Sequence, residues 1–486
     1  MSPSRPAAAP WTLHPHRALP AEPGVREIAV RIHEQTAPLP IVAMHGHVEA
    51  SVFADDEPFA DPAQLLIVPD HYVTRMMASQ GIPLESLGVP RRDGGPVETD
   101  SRQIWRTFCE NWHLYRGTPS RFWLEHELVE VFGVTEKPSS ESADRIYDQI
   151  AAAVARPEFR PRALLDSFGI EIISTTDPAS SDLSVHARLA ADGLGSRVVP
   201  TFRPDGVLQL ERSTWREEIA TLAEVSGIDT DTYAGFLEAL RERRRAFVAA
   251  GARATDHGHL SADTHPMDEA EAAALYARVL AGAEPTAAEA QAFAAHMLLQ
   301  MAGMSCEDGL VMQIHPGVLR DHQSEILARH GQDKGYDIPV ATEYTRALRP
   351  MLERHGLDPR FRCILFTVDE TVFSRELAPL AGAYPSVRLG APWWFLDSPD
   401  GMRRFRETAT ETAGFANMSG FVDDTRAYAS IPARHDLARR IDAGYLARLV
   451  AEHRLEEDEA IETAIDLAYR LPLASYPEPV TDRATA

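Results

Sequence analysis

The stretch Leu39-Pro40-Ile41-Val42-Ala43-Met44-His45-Gly46-His47 decides how the rest of the chain is read. Its first part, Leu39–Met44, is short, apolar and bounded by a turn signal, which predicts a buried strand. Two imidazoles follow, two positions apart. In extended backbone the side chains of residues i and i+2 point to the same side, so His45 and His47 can close on one metal ion at the strand's end. A His-x-His pair is weak by itself; its weight depends on what other strands deliver beside it.

Seven further runs read as strands: Gly169–Ser174, Arg197–Thr201, Ala252–Thr255, Leu310–Ile314, Cys363–Val368, Val387–Gly390 and Asn417–Val422. Helical patterns separate most of them, which predicts βα units and a parallel sheet. Eight such strands are the number that closes a (β/α)8 barrel. The fold class expected is therefore α/β, a distorted TIM-type barrel. Residues 50–160, between the first two strands, read as amphipathic or Ala-rich helices broken by Pro and Gly, and are expected to form a helical insertion. Residues 1–25 are expected to be a flexible leader, 26–480 one barrel domain and 481–486 a tail, with fraying from Pro472 onward. The arginine cluster Arg241–Arg245 reads as a solvated helix face.

Composition narrows the function classes. The 486 residues carry 48 Lys+Arg against 72 Asp+Glu, a net charge of −24, which disfavours a nucleic-acid or anionic-membrane surface, since both need basic charge to meet phosphate. No run approaches the length of a membrane span, and no apolar signal core precedes the first strand. Cys109, Cys306 and Cys363 are scattered without metal-ligand spacing, so they are expected to be buried thiols in a reducing, cytoplasmic setting.

The polar residues cluster where chemistry would need them. The last candidate strand runs into Asp423-Asp424-Thr425-Arg426, and in a barrel the end of strand eight lies beside the end of strand one, so a carboxylate can join the two histidines. Asp177, Arg203, Asp256-His257 and His315 also follow strand ends, at the rim where barrel enzymes place their chemistry. Binuclear hydrolases of this architecture bridge two ions with a carboxylated lysine after strand four. The chain's two lysines, Lys137 and Lys334, fall elsewhere. One divalent metal on nitrogen and oxygen ligands is therefore expected, zinc first, with iron or manganese as alternatives.

These residues, taken in order, resemble the uronate isomerases (glucuronate/galacturonate isomerases) of the amidohydrolase superfamily. The resemblance rests on His45-Gly46-His47, Asp70-His71-Tyr72, Ser139-Ser140-Glu141-Ser142-Ala143-Asp144, Thr175-Thr176-Asp177-Pro178 and Arg203-Pro204-Asp205. It continues through His315-Pro316-Gly317-Val318-Leu319-Arg320, Trp393-Trp394-Phe395, Asp400-Gly401-Met402 and Asp424-Thr425-Arg426. It implies an amidohydrolase-type barrel that interconverts an aldose uronate and its ketose through an enediol. It further implies His45, His47 and Asp424 around the metal, and Asp424, Tyr72 and His315 in catalysis. Arg203, Arg426, Arg320 and Trp393 would then contact the sugar acid. The chain departs from the family pattern at Ala43, Val48-Glu49, Val73-Thr74-Arg75 and Pro392.

Two rivals stand beside this reading. One is hydrolysis or decarboxylation of another polar acid by the same mononuclear barrel; the other is a non-catalytic, metal-binding relative. A homo-oligomer fits a large barrel, although no motif specifies one.

Overall fold

The computed structural model describes residues 9–479. The first strand, Ile41–Ala43, pairs in parallel with Ile170–Ser174, and that strand pairs with Val198–Val199. The second and third strands then break, at Thr175-Thr176 and Pro200-Thr201, and resume as Asp177–Pro178 and Phe202–Arg203. Pro200 has no N–H to give to a ladder, which explains the interruption of the third strand. Backbone bonds from Thr175 N to Val199 O (2.9 Å) and from Thr201 N to Thr175 O (3.0 Å) keep the two strands in register across the gap. Ala254–His257, Val311–Ile314, Cys363–Leu365 and Val387–Leu389 complete the series, each parallel to its neighbour.

The eighth position departs from the regular strand expected over Asn417–Val422. Only Met418 makes a bridge, parallel to Leu389. Asn417 ends a tight turn, Phe415–Asn417, and its side-chain amide donates to Ala413 O at 2.9 Å. Gly420, at φ +82°, lies so close to Pro472 that a Cβ there would fall 2.3 Å from its ring. The segment nevertheless closes the barrel, because Asp424 N donates to His45 O (3.2 Å) and His47 N donates to Thr425 O (2.9 Å). The fold is thus a distorted (β/α)8 barrel whose last stave is extended backbone with little ladder.

Between the first two strands lie six α-helices of five residues or more that precede Pro157, among them His71–Ala78, Ser101–Glu110 and Ala143–Val154. They enclose an apolar core of their own, with Trp105, Phe108, Tyr115 and Ile150 fully buried. Asp70 caps the first of these three helices by accepting from Tyr72 N at 2.8 Å, and the Tyr115 hydroxyl donates to Val73 O at 2.9 Å. Cap and tether together fix where Tyr72 stands.

Three expectations change. Residues 1–8 and the tail 481–486 lie outside the described residues, but from Trp11 the leader is docked: Trp11 N donates to Thr135 O, and Arg17 pairs with Asp436. The helix Pro23–Thr36 then buries Ala29 and Ile32 against Ala443 and Leu446. Pro472 belongs to a helix, Leu471–Ser475, and the buried Tyr476 donates to Gln313 Oε1 at 2.9 Å, so the chain is not frayed there. Arg243 and Arg244 are buried rather than solvated; Arg244 grips Asp308 at 2.6 Å and Arg243 donates to Ser181 O.

The helices Pro399–Ala413 and Ile431–Ala451 flank the closing segment and are pinned together by a buried two-point pair, Arg406 Nε to Asp442 Oδ1 (2.6 Å) and Nη2 to Oδ2 (2.8 Å). Removing one partner strands a buried charge, at a cost of about 3 kcal/mol. Urea unfolding of Arg406→Ala should show a loss of that order, and Arg406→Met with Asp442→Leu should recover most of it.

Candidate active site

The nine residues to which the resemblance gives a role all line one cavity of about 550 Å³ at the C-terminal end of the strands, as does Asp256, whereas the other rim candidates, Asp177 and His257, do not. His45 and His47 follow the first strand, Arg203 ends the third, His315 follows the fifth and Trp393 the seventh. Asp424 and Arg426 come from the closing segment, Tyr72 from the helix His71–Ala78, and Arg320 from the rim hairpin that pairs Val318–Leu319 with Ile338–Pro339.

Both imidazoles meet one carboxylate oxygen. His45 Nε2 lies 3.3 Å and His47 Nε2 3.0 Å from Asp424 Oδ1. Asp424 adopts φ +43°, a left-handed conformation that costs an L residue about 1 kcal/mol and that the surrounding structure must enforce. Burial would raise the Asp424 carboxyl, yet the two imidazoles hold it well below the usual carboxylate range. Burial would likewise depress His45, but Asp424 and Asp256 outweigh it and raise its pKa.

A second knot lies beside the first. The buried Asp256 accepts from His315 Nδ1 (2.7 Å) on Oδ1 and forms an ion pair through Oδ2 with Arg203 Nη1 (3.1 Å). Arg203 Nε reaches Asp205 Oδ2 at 2.9 Å. A Cβ on Gly258 would fall 2.5 Å from Arg203 Nη2, so a side chain there would displace the guanidinium. Burial would raise Asp256, but Arg203 and His315 pull it well below its ordinary value; burial lowers His315 and keeps that imidazole neutral. The His315 ring is stacked against Phe366 (centroids 4.0 Å) and His45 (4.5 Å), with Trp393 edge-on at 4.8 Å. His315 Nε2 and His45 Nδ1 are buried with no hydrogen-bond partner among the described residues.

Two more arginines of the cavity hold ion pairs of their own. Arg426 is paired with Asp333, and Arg320 with Asp337 at 3.0 Å, while the Arg320 guanidinium lies 5.0 Å from the centre of the Trp394 ring. Tyr72 is buried and stacked on His71 at 4.9 Å. Burial, reinforced by Asp397, raises its phenol well above the usual range, so it stays protonated and acts as a donor. Burial pushes His71 down to about 3.

Sequence reading left Asp256, Asp333 and Asp337 without a role. Asp333 and Asp337 lie 93 and 17 residues from the arginines they balance, with no periodicity to link them. Asp205 was within reach, because Arg-x-Asp at a strand end presents both side chains together. A third donor group, Asp205 with His257 and His259, is buried behind Gly258.

The donors that converge on Asp424 define a class: an amidohydrolase-type barrel with a nitrogen–oxygen metal-type centre at its C-terminal rim. A family model described as glucuronate isomerase matches residues 25–473. The uronate isomerase of Rhizobium meliloti (strain 1021) is 55% identical over 464 residues, covering 96% of this chain and 99% of that one. The crystal structure of glucuronate isomerase from Caulobacter crescentus superposes with a TM-score of 0.94 at 49% identity, over 96% of this chain and 97% of that one. That of uronate isomerase from Thermotoga maritima gives 0.89 at 28% identity, over 96% and 100%. The chain belongs to the uronate isomerase family.

Besides the group behind Gly258, a divalent cation has two sets of donors among the described residues, both sharing His45: His47 with Asp424, or Asp256 with His315. The first set fits better, because Asp256 and His315 already satisfy each other and Arg203. His47 is also the more exposed ligand, at 28% for its side chain, so His47→Ala tests that set without excavating the core. Zinc at a hundred times its dissociation constant should stabilise the wild type against unfolding by about 2.7 kcal/mol. His47→Ala should show little of that gain at the same concentration.

Proposed function

We propose that the chain interconverts an open-chain hexuronate aldose and its ketose, D-glucuronate with D-fructuronate, D-galacturonate with D-tagaturonate, or both, through an enediol-type intermediate. The observation that carries this reading is the enclosure, in one cavity, of an ionised Asp424 that meets two imidazoles and three arginines whose charges are only partly spent. Membership of the uronate isomerase family supplies the reaction class. The rival hydrolase and decarboxylase readings lose their ground, since the curated relatives at 52% identity or more are uronate isomerases over nearly their full length.

Isomerisation moves one proton from C2 to C1 and one from the C2 hydroxyl to the C1 oxygen. Both imidazoles occupy Asp424 Oδ1, which leaves Oδ2 to take the carbon-bound proton and return it to the neighbouring carbon. Tyr72, held as a phenol, donates to the oxygen on which the enediolate charge develops. His315, neutral with Nδ1 turned to Asp256, offers Nε2 to a hydroxyl proton. A guanidinium has five N–H donors, so Arg203, Arg320 and Arg426 keep some free for the substrate carboxylate and hydroxyls while holding their own aspartates. Trp393 forms the wall beside His315. His45, His47 and Asp424 would hold one divalent metal, zinc before iron or manganese, which when bound polarises the substrate's carbonyl and hydroxyl oxygens.

The setting is cytoplasmic on this reading: the three cysteines are buried and unpaired, and among the described residues no helix is long and apolar enough to cross a membrane.

Purified, metal-quantified protein should form ketose from glucuronate or galacturonate and, in deuterium oxide, carry label into C1. His45→Ala should lose metal and turnover together. Arg426→Met should keep its metal while kcat/KM falls by about 100-fold, roughly 3 kcal/mol. A fully active His45→Ala enzyme contradicts the site assignment, and metal-replete wild type that makes no ketose contradicts the reaction.

A further inference from the structure

The stacking around His315 leaves one question that a single carboxylate answers. Phe366 and His45 sandwich the imidazole at interplanar angles of 18° and 21° and so fix the plane of the ring. A half-turn about the Cβ–Cγ bond preserves that plane and exchanges the ring edges, so stacking does little to choose which nitrogen faces which neighbour. Asp256 does choose. Its Oδ1 lies 2.7 Å from His315 Nδ1, and its Oδ2 forms an ion pair with Arg203 Nη1 at 3.1 Å. A carboxylate clamped by a guanidinium has only acceptors to offer, which places the imidazole proton on Nδ1 and the lone pair on Nε2.

The same carboxylate sets Arg203. With Nη1 on Asp256 and Nε on Asp205, the guanidinium is held along two edges, and Gly258 leaves room for Nη2. Asp256 is 1% exposed, at the end of the fourth strand, on a regular ladder with Val311–Ile314 that holds it rigidly opposite Gln313.

We propose that Asp256 is a positioning residue for the isomerisation, fixing His315 as the Nδ1–H tautomer and clamping one arm of Arg203 so that acceptor nitrogen and guanidinium are set in register before substrate arrives. This rests on the isomerase reading above. Asp256 acts through its neighbours: it orders the group that receives a hydroxyl proton and the group that holds the substrate's anionic end.

Asp256→Asn tests it because the substitution keeps the shape and changes the donors. An amide must turn its NH2 either to Arg203, where donor meets donor, or to His315, where it forces the proton onto Nε2. The zinc-loaded full-length protein, labelled with 15N-histidine, reports the tautomer directly, with the His315 signals assigned by their loss in His315→Asn. The wild type should show a protonated Nδ1 and a bare Nε2, and Asp256→Asn should show the reverse or a mixture. In turnover, Asp256→Asn should lower kcat by about 100-fold or more with metal content unchanged. The double variant Asp256→Asn with His315→Asn should fall within about three-fold of His315→Asn alone, the non-additivity expected of groups that act as a unit. A wild-type His315 protonated on Nε2, an Asp256→Asn enzyme with wild-type kcat, or losses that multiply in the double variant would each overturn the proposal. The wild-type tautomer is read without substrate, so it decides the question even where Asp256→Asn does not fold. It also separates a failure of this inference from a failure of the isomerase reading, which would show as wild type forming no ketose.

Discussion

Two backbone hydrogen bonds hold the rest of the site in place: Asp424 N to His45 O and His47 N to Thr425 O. Among the described residues they are the only ladder-like contacts between the first stave of the barrel and its last. Without them the ends of the chain's two halves, nearly 380 residues apart in sequence, would have no reason to meet. The closing segment forms almost no regular strand, so its placement depends on what flanks it. The Arg406–Asp442 pair locks the helices on either side, and Arg434, buried against Trp123 with its Cζ 3.6 Å from the ring centre, reaches Asp397 at 3.0 Å and the carbonyl of Asp423 at 3.5 Å. His435 Nε2 donates to the Asp423 carboxylate across 3.2 Å. The left-handed backbone at Asp424 is affordable because this shell over-determines it.

Charge in the cavity is arranged in pairs that stop short of neutralising one another's hydrogen-bonding capacity. The three arginines assigned to the substrate each carry an aspartate: Asp256 and Asp205 on Arg203, Asp337 on Arg320, Asp333 on Arg426. Such pairing keeps the guanidiniums ordered in the absence of an anion, which lowers the ordering cost when one binds. It also divides the labour. Arg203 belongs to the rigid strand layer, whereas Arg320 and the partners of Arg426 and Arg320 lie on the excursion that spans residues 320–337, outside the barrel.

Much of this was legible in the chain. The strand before His45-Gly46-His47 is marked by composition, and eight apolar runs set the barrel class, because each stave buried on both faces needs a continuous apolar run. That a carboxylate of Asp423-Asp424 could reach the histidines followed from topology, and the choice of Asp424 from the family resemblance. Other features were hidden for physical reasons. The break in the third strand comes from the missing N–H of Pro200, which composition shows but does not locate in a ladder. The eighth stave looked regular because Met418–Val422 is apolar, while its pairing is decided by Pro472 pressing on Gly420 from a distant helix. Arg243 and Arg244 read as surface charge, but Asp308, which ends the helix Ala287–Asp308, pairs with Arg244, and the carbonyl of Ser181 accepts from Arg243. Asp256 sat at a strand end in plain view, but its meaning depends on His315, 59 residues on, and on Arg203.

The central claim is that barrel closure assembles one cation site from His45, His47 and Asp424. Anomalous diffraction from crystals of the zinc-loaded protein, collected on both sides of the zinc edge, tests it most directly. The account predicts a single strong peak bounded by the Nε2 atoms of His45 and His47 and the Asp424 carboxylate, with His315 still bonded to Asp256. A peak bounded by His45, His315 and Asp256, or no peak at this rim, would contradict it.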